Sequence, residues 1–246
     1  MNYLKRIVFT LASFLLLLLL TSPLNAQKIQ TSIHGGLTIS NMTLDIDGTQ
    51  DPESVPAFDF DSVAGFQFGV RFLKPIADSW SLETGLQLNS RGYSNDYALV
   101  ISGEEVFRSK TSLRLYYFEL PLLMNVYIPI GTRTVELSGG PYLAGGVSGR
   151  YTSEIKVNEN SSFGEFLELE SSRESGNINW GSNEDEFPRI DYGVLFGAGV
   201  AFKSYTFRIY YQRGLSNFLR NNSPGDDGET ITSNHYQTSF TVGYRF

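Results

Sequence analysis

The chain has 246 residues, no cysteine, and a formal net charge of −7 from 26 acidic and 19 basic residues. The lack of cysteine excludes disulfides and thiolate metal sites. The acidic balance argues against nucleic-acid binding, which needs a basic patch. Aromatic residues make up 14% of the chain and glycine occurs 24 times, a profile that favours strands over helices.

The N-terminal segment has the pattern of a secretory signal peptide. Lys5 and Arg6 precede a long apolar run, which ends in a stretch of small residues. We therefore predict that residues 1–26 are removed and that residues 27–246 form the mature domain. The alternative is an uncleaved membrane anchor.

The rest of the chain alternates apolar and polar residues with the period of two that a β-strand requires. In FQFGVRF, for example, Phe66, Phe68 and Phe72 share one face, and Gln67 and Arg71 share the other. Eight strands are predicted, at about 29–40, 63–74, 80–93, 111–129, 133–146, 189–203, 205–216 and 234–246.

The connections between these strands alternate strictly in length. Those after the second, fourth and sixth strands are short. The others are long, at about 41–62, 94–110, 147–188 and 217–233. All turns would then lie at one end of an antiparallel meander and all loops at the other, as in bacterial outer-membrane barrels.

A soluble eight-stranded barrel such as a lipocalin is the structural alternative, with its apolar face inward. The bulky faces here carry Phe, Tyr, Leu and Trp, which would overfill so narrow an interior. The opposite faces are mainly Gly, Ser, Ala, Thr and Gln. The sequence therefore predicts an all-β, eight-stranded antiparallel up-and-down transmembrane β-barrel in the outer membrane of a Gram-negative bacterium. It would have short periplasmic turns and long acidic extracellular loops.

The last strand carries a prediction about assembly. Tyr244 and Phe246 lie on its apolar side, and they would join the aromatic girdle at the periplasmic edge. We expect them to form the terminal signal that the outer-membrane assembly machinery recognises. An ordinary buried C-terminal strand is the alternative.

Several segments resemble one family of barrels. FELPLLMNVYI at 118–128, GGPYLAGG at 139–146, IDYGVLFGAGVAF at 190–202 and YYQRGLSNF at 210–218 are similar, in order, to segments of the PorT-like outer-membrane β-barrels of Bacteroidota. The resemblance covers nearly all of the mature chain. It implies an integral outer-membrane barrel, and some members of that family serve type IX secretion and gliding with other secretion-complex proteins.

Eight charged residues are predicted to face the lumen and to form a charge network: Arg71, Glu83, Arg91, Glu119, Glu136, Asp191, Arg208 and Arg245. Four are basic and four acidic, so they could fill the barrel as a plug of paired charges or line a polar conduit or proton path. His34 lies on the polar face of the first strand, and His235 is expected near the outer rim of the last as an interfacial polar residue. Neither lies in a catalytic motif, so no enzyme activity and no cofactor are predicted.

The predicted loops hold 21 of the 26 acidic residues. Such a surface is expected to attract divalent cations, which could bridge lipopolysaccharide phosphates. Asp45, Asp47 and Asp51 have a spacing partly like that of a calcium loop, so they form a candidate metal site, with a solvated acidic loop as the alternative.

Three functions are compatible with these features. The first is an accessory role in protein secretion (type IX or gliding) or envelope assembly, which the resemblance implies. The second is a structural or adhesive surface barrel with the 147–188 loop as its contact surface. The third is a narrow channel. All three place the protein among outer-membrane lipid and lipopolysaccharide.

Overall fold

The computed structural model describes residues 29–47, 60–158, 170–181, 187–217 and 230–246. The predicted signal peptide and Asp51 lie outside these residues. The strands are β1 Gln30–Asp47, β2 Asp61–Ala77, β3 Trp80–Ile101, β4 Glu104–Ile130, β5 Arg133–Val157, β6 Ser172–Asn177, β7 Trp180–Gly181, β8 Phe187–Pro188, β9 Ile190–Phe202, β10 Tyr205–Gly214 and β11 Thr230–Arg245.

Eight of these strands pair in a closed circuit. The order β4-β3-β2-β1-β11-β10-β9-β5 returns to its start because β4 also pairs with β5. Each pairing in this ring is antiparallel. The predicted all-β, eight-stranded up-and-down barrel is confirmed. Within the described ranges, no helix has the length and apolar character needed to cross a bilayer.

Three two-residue turns lie at one end of the barrel, together with the start of β1 and the end of β11. They connect β2 to β3, β4 to β5, and β9 to β10. Gly131 and Lys203, each the first residue of its turn, have φ angles of 61° and 53°, which a reversal over two residues requires. We call this the periplasmic end, following the usual orientation of such barrels.

At the opposite, extracellular end, the prediction of a loop at 94–110 is wrong. β3 continues to Ile101 and β4 begins at Glu104, so the two strands form a long hairpin. Ser102 and Gly103 connect them with φ angles of 52° and 86°, and a type I′ turn needs positive φ at both positions. Its twist matches that of the flanking strands, so the ladder continues beyond the apolar part of the barrel.

The other predicted loops are also partly strand. β1 and β11 stay paired as far as Asp47 and Thr230. β5 runs on to Val157, and β6 folds back to pair with it, so strands occupy much of the predicted 147–188 loop. Backbone hydrogen bonds do not need apolar side chains, and for this reason the ladders extend past the point where the hydrophobic pattern ends.

The two faces of the barrel wall differ as the alternation predicts. Outward side chains are large, apolar and exposed, as Phe68 at 54% and Phe196 at 57% illustrate. Inward side chains are polar and buried, as Gln67 at 3% and Gln237 at 1% illustrate. A continuous apolar outer wall is suited to lipid and would be unfavourable in water.

Candidate functional site

All eight charged residues predicted for the lumen lie inside the barrel. Seven of them are buried, and the side chain of Arg245 is 22% exposed at the periplasmic mouth. They form two separate groups of ion pairs, one in each half of the barrel.

The periplasmic cluster consists of Arg71, Glu83, Glu136, Arg208 and Arg245. Arg208 is its centre: Nη1 donates to Glu83 Oε1 at 3.0 Å and Nε donates to Glu136 Oε2 at 2.7 Å. Arg71 lies 3.4 Å from Glu83, and Arg245 donates to Glu136 at 2.9 Å. Three guanidinium groups and two carboxylates give this cluster a formal charge of +1.

The extracellular cluster consists of Arg91, Glu119, Asp191, His235 and Tyr142. Arg91 forms ion pairs with both Glu119 and Asp191. It also donates to His235 Nε2 at 2.7 Å, and the Tyr142 hydroxyl donates to Asp191 at 2.9 Å. One guanidinium and two carboxylates give a formal charge of −1 with His235 neutral. The two clusters therefore balance.

The expectation that His235 is an interfacial residue is wrong. Its side chain is 7% exposed and lies inside the extracellular cluster, 3.4 Å from Asp191. The strand period explains this position, because Gln237, Ser239 and Thr241 on the same face of β11 are also buried. A polar residue near the end of a strand resembles an interfacial one in the sequence, and only the face on which it lies separates the two.

Amide side chains extend the extracellular cluster toward the middle of the lumen. Glu119 accepts hydrogen bonds from Gln87 at 2.6 Å and Gln212 at 2.8 Å. Gln87 in turn accepts one from His34 Nε2 at 3.0 Å, and Gln237 donates to Asn89 at 2.8 Å. The buried carboxylate of Glu119 is thus held by several charge-assisted hydrogen bonds, which offset the cost of burying an ionised group.

Inward tyrosines are the members of this site that sequence reasoning missed. Tyr210 accepts a hydrogen bond from Arg71 at 2.6 Å, and the Arg71 guanidinium lies 4.8 Å from the centre of the Tyr210 ring. Tyr210 lies against Gly197, where an added Cβ would stand 2.3 Å from the ring. Its cross-strand partner is that same glycine. A bulky residue opposite a glycine is the signal that identifies such inward aromatics.

An apolar cap closes the extracellular mouth. Leu113, Leu115 and Tyr117 of β4 are buried there, and Trp180 packs edge-on against Tyr117 with ring centres 5.5 Å apart. The amide of Ile178 donates to Gly149 O at 2.9 Å, which fixes this segment to β5. The apolar residues of the predicted 147–188 loop are therefore partly used inside the barrel.

The lumen is narrow beside the extracellular cluster. Beside Arg91, Tyr117 and His235 the enclosed space is about 10 Å³, enough for roughly one water molecule. Catalysis would need a reactive group that a substrate can reach. The two histidines are both buried in the described lumen, so its geometry supports no catalytic role for them.

No group of three potential metal ligands occurs among the described residues. Of the candidate metal site, Asp45 and Asp47 belong to β1 by their backbone, and Asp51 lies outside the described residues.

At the periplasmic end, Tyr244 lies between Tyr205 and Phe246, with ring centres 5.4 and 5.3 Å apart. These three rings form an exposed aromatic rim.

The extensions of β3, β4, β5 and β6 form a sheet beyond the barrel with two different faces. The face that continues the lumen carries aromatic residues such as Tyr97 and Phe107, whose ring centres are 6.3 Å apart. The opposite face carries mainly charged residues. There Arg108 donates to Glu105, and these hydrogen bonds hold the pKa of the Glu105 carboxyl below its usual range.

A family model described as an outer membrane protein β-barrel domain matches residues 25–220. The chain belongs to this family. It is therefore an outer-membrane barrel of a Gram-negative bacterium, and its exposed apolar wall is the lipid-facing surface. No curated protein sequence matches the chain.

Solved structures similar to the chain include other outer-membrane proteins. Ail of Yersinia pestis is 14% identical, with 89% of this chain and 99% of Ail covered and a TM-score of 0.35. OprG of Pseudomonas aeruginosa is 12% identical, with 89% and 97% covered and a TM-score of 0.36. The Escherichia coli protease OmpT is 10% identical, with 90% and 99% covered and a TM-score of 0.38. These values are too low to carry an argument about function.

Proposed function

We propose that this protein is a non-conducting, non-enzymatic outer-membrane barrel that acts through its extracellular strand extensions. The observation that carries the proposal is the filling of the lumen by two mutually balanced ion-pair clusters. Arg91, Glu119, Glu83 and Arg208 are all buried and paired with residues from other strands. The outer wall contacts lipid, and the side chains of the lumen contact one another. The ends of the barrel are therefore the surfaces that can bind other molecules.

The extracellular end supports this proposal more strongly than the periplasmic end. Its β3–β4 hairpin and the β5–β6 pair extend beyond the barrel and present Tyr97 and Val100, which are 52% and 56% exposed. The periplasmic connections are turns of two residues with little surface. A structural or adhesive surface barrel uses such an extension directly, with Ser172–Asn177 as part of the contact surface.

An accessory role in type IX secretion, gliding or envelope assembly is the second candidate. The resemblance of FELPLLMNVYI at 118–128 to PorT-like barrels favours it. In that role the same extension would bind a subunit of a secretion or assembly complex. The third hypothesis, a narrow channel, is less well supported, because the buried ion pairs of Arg91 and Arg208 cross the lumen.

Measurements of conductance test the proposal that the barrel is non-conducting. The purified protein in planar bilayers is expected to show no steady conductance, and liposomes that contain it should not swell in small sugars. An open porin in the same lipid serves as the positive control. Reproducible open channels would overturn the proposal and restore the channel hypothesis.

Affinity isolation after cross-linking in native membranes separates the two remaining functions. The comparison uses the wild type and a variant in which residues 96–110 are replaced by Asn-Gly, which shortens the hairpin while retaining its turn. Secretion or assembly subunits that co-purify with the wild type and not with the variant would identify the accessory role. Their absence from both, together with loss of surface attachment in the variant, would identify the surface role. Equal behaviour of both proteins would move the functional surface away from the hairpin.

A further inference from the structure

The outward face of β4 marks the extracellular edge of the lipid-facing wall. From Ile128 to Tyr116 its outward side chains are all apolar or aromatic, and the next outward residue is Arg114. This apolar column spans roughly 30 Å along the membrane normal at the usual strand rise and tilt. Arg114 therefore lies at the depth of the outer-leaflet headgroups.

A β-bulge brings a second guanidinium to the same place. Along β5, Tyr142 and Ala144 point into the lumen. The pairing with β4 then slips by one residue at Val147, so that Tyr117 lies opposite Gly146 and Tyr116 opposite Ser148. Beyond the bulge the parity is reversed. Arg150 consequently faces outward, directly opposite Arg114, and both side chains are exposed.

Two like charges directly opposite each other on a sheet are unfavourable without a counter-ion. Among the described residues, no carboxylate lies within ion-pair distance of either Arg114 or Arg150. The contact that Arg114 makes is to the carbonyl oxygen of Ala64, at 3.5 Å. Within the described ranges the pair therefore lacks a counter-charge, which an anion from outside the protein would supply.

A second pair of basic residues shows the contrast. Arg108 and Lys156 are also directly opposite each other on β4 and β5, six residues farther from the lipid. There, Arg108 lies 2.9 Å from Glu105 and 3.7 Å from Asp96, and Lys156 lies 3.4 Å from Glu154. Among the residues that the structure describes, counter-charges accompany the basic pair above the membrane but not the pair at headgroup depth.

We propose that Arg114 and Arg150 form a binding site for the phosphate groups of lipopolysaccharide in the outer leaflet. Guanidinium groups match phosphate oxygens with paired, charge-assisted hydrogen bonds. The site is built on two neighbouring strands at the lipid boundary, next to the ring of Tyr116, so one glycolipid could contact wall and charges together. The chain as a whole is acidic, which makes a local basic pair at this depth a specific feature. This inference is independent of the proposed function.

The site predicts direct binding, without a bridging cation. This differs from the sequence-based expectation that divalent ions on acidic loops would hold lipopolysaccharide. Chelation should therefore leave binding intact, whereas high salt should weaken it because the contacts are exposed. Free inorganic phosphate should compete poorly, since it lacks the acyl chains that contact the apolar wall.

The experiment measures binding of defined lipopolysaccharide to the purified full chain in nanodiscs, with dephosphorylated lipopolysaccharide and inorganic phosphate as further probes. The test variant is R114Q/R150Q and the matched control is R108Q/K156Q, which removes the same charge from directly opposed positions. Folding of each protein is checked by its heat-dependent electrophoretic mobility. The test variant should bind roughly tenfold more weakly or worse, the control should bind like the wild type, and dephosphorylation should mimic the test variant.

Three results would overturn the proposal. They are equal binding by the folded test variant and the wild type, equal loss in both double variants, and loss of binding on chelation. The last would return the interaction to cation bridging. Effective competition by inorganic phosphate would instead show a general anion site and would also contradict the lipid assignment.

Discussion

The two ends of the barrel are built on different principles although the same eight strands form both. The periplasmic end has two-residue turns, an aromatic rim of Tyr205, Tyr244 and Phe246, and a lumen held by Arg208 and its carboxylates. The extracellular end has strand extensions and an apolar cap. Trp180, which belongs to a connecting segment, packs in that cap against Tyr117.

This difference shows which parts the barrel itself needs. At the periplasmic end, partners such as Glu83 and Arg208 are 125 residues apart and meet only when the ring is closed. In the extracellular strand extensions, contacts such as that between Tyr97 and Phe107 are local to one hairpin. We therefore expect changes at the periplasmic end to affect assembly and stability, and changes in the extensions to affect recognition alone.

The largest effect is expected at the terminal aromatic residue. Phe246 is 74% exposed on the lipid side of the rim, next to Tyr244. Phe246→Asp places a carboxylate there and removes the predicted assembly signal. We expect most of the protein to fail to reach the outer membrane. Outer-membrane fractionation and protease resistance measure this. Normal amounts of folded protein in the outer membrane would show that assembly does not depend on Phe246.

The next effect concerns the centre of the periplasmic cluster. Arg208→Leu leaves Glu83 and Glu136 without their main partner in the barrel interior. Loss of one partner from a buried ion pair costs about 3–5 kcal/mol of unfolding free energy. Denaturant unfolding of the refolded barrel gives this value. Arg213→Leu, on the same strand but exposed on the outer wall, is the matched control and should stay within about 1 kcal/mol of wild type.

A smaller effect is expected where a tyrosine lies on a glycine. In Gly197→Ala the new methyl group would stand 2.3 Å from the ring of Tyr210, which Arg71 and Arg208 hold in place by hydrogen bonds. Overpacking of this kind costs about 1–3 kcal/mol. Gly145→Ala meets nothing within 4 Å and should leave the unfolding free energy almost unchanged. Equal stability of the two variants would show that the ring moves aside freely.

Much of this architecture could be predicted from the period of two in the sequence. The pattern assigns Phe68 and Phe196 to the lipid side and Glu83 and Asp191 to the lumen, because each depends only on strand parity. Strand parity can fail where the pairing slips, and the ring has several such register shifts. The bulge at Val147 reverses β5, and nothing in GGVSGR at 145–150 distinguishes that slip from regular pairing.

Other features depend on register, which the alternation does not specify. Which acid pairs with Arg91 follows from the position of β3 relative to β4 and β9 around the closed ring. The extracellular hairpin is not predicted by the alternation for another reason. Beyond Tyr93 the polar stretch SND at 94–96 is followed by the unbroken apolar run YALVI at 97–101, so the period of two that marks a strand is lost although β3 continues.

The smallest effect is expected at the tip of that hairpin. Replacing residues 96–110 by Asn-Gly removes Tyr97 and Phe107 together, so neither aromatic ring remains without the other. Asn95 and Thr111 are directly opposite in the ladder and can be joined by a two-residue turn. A shorter connection also slightly lowers the entropy cost of closing the loop. The unfolding free energy should change less than in the variants above, as denaturant unfolding would show.

The same deletion decides whether the two ends are separable. The closed ring and both ion-pair clusters lie on the periplasmic side of the deleted residues, so Arg91 and Glu119 retain their strands and their ion pair. The shortened barrel should therefore assemble, remain non-conducting and keep its heat-dependent mobility while it loses its partner or surface attachment. If it instead unfolds several kcal/mol more easily, the hairpin stabilises the mouth through β5, and the extracellular end is part of the barrel's stability as well as its recognition surface.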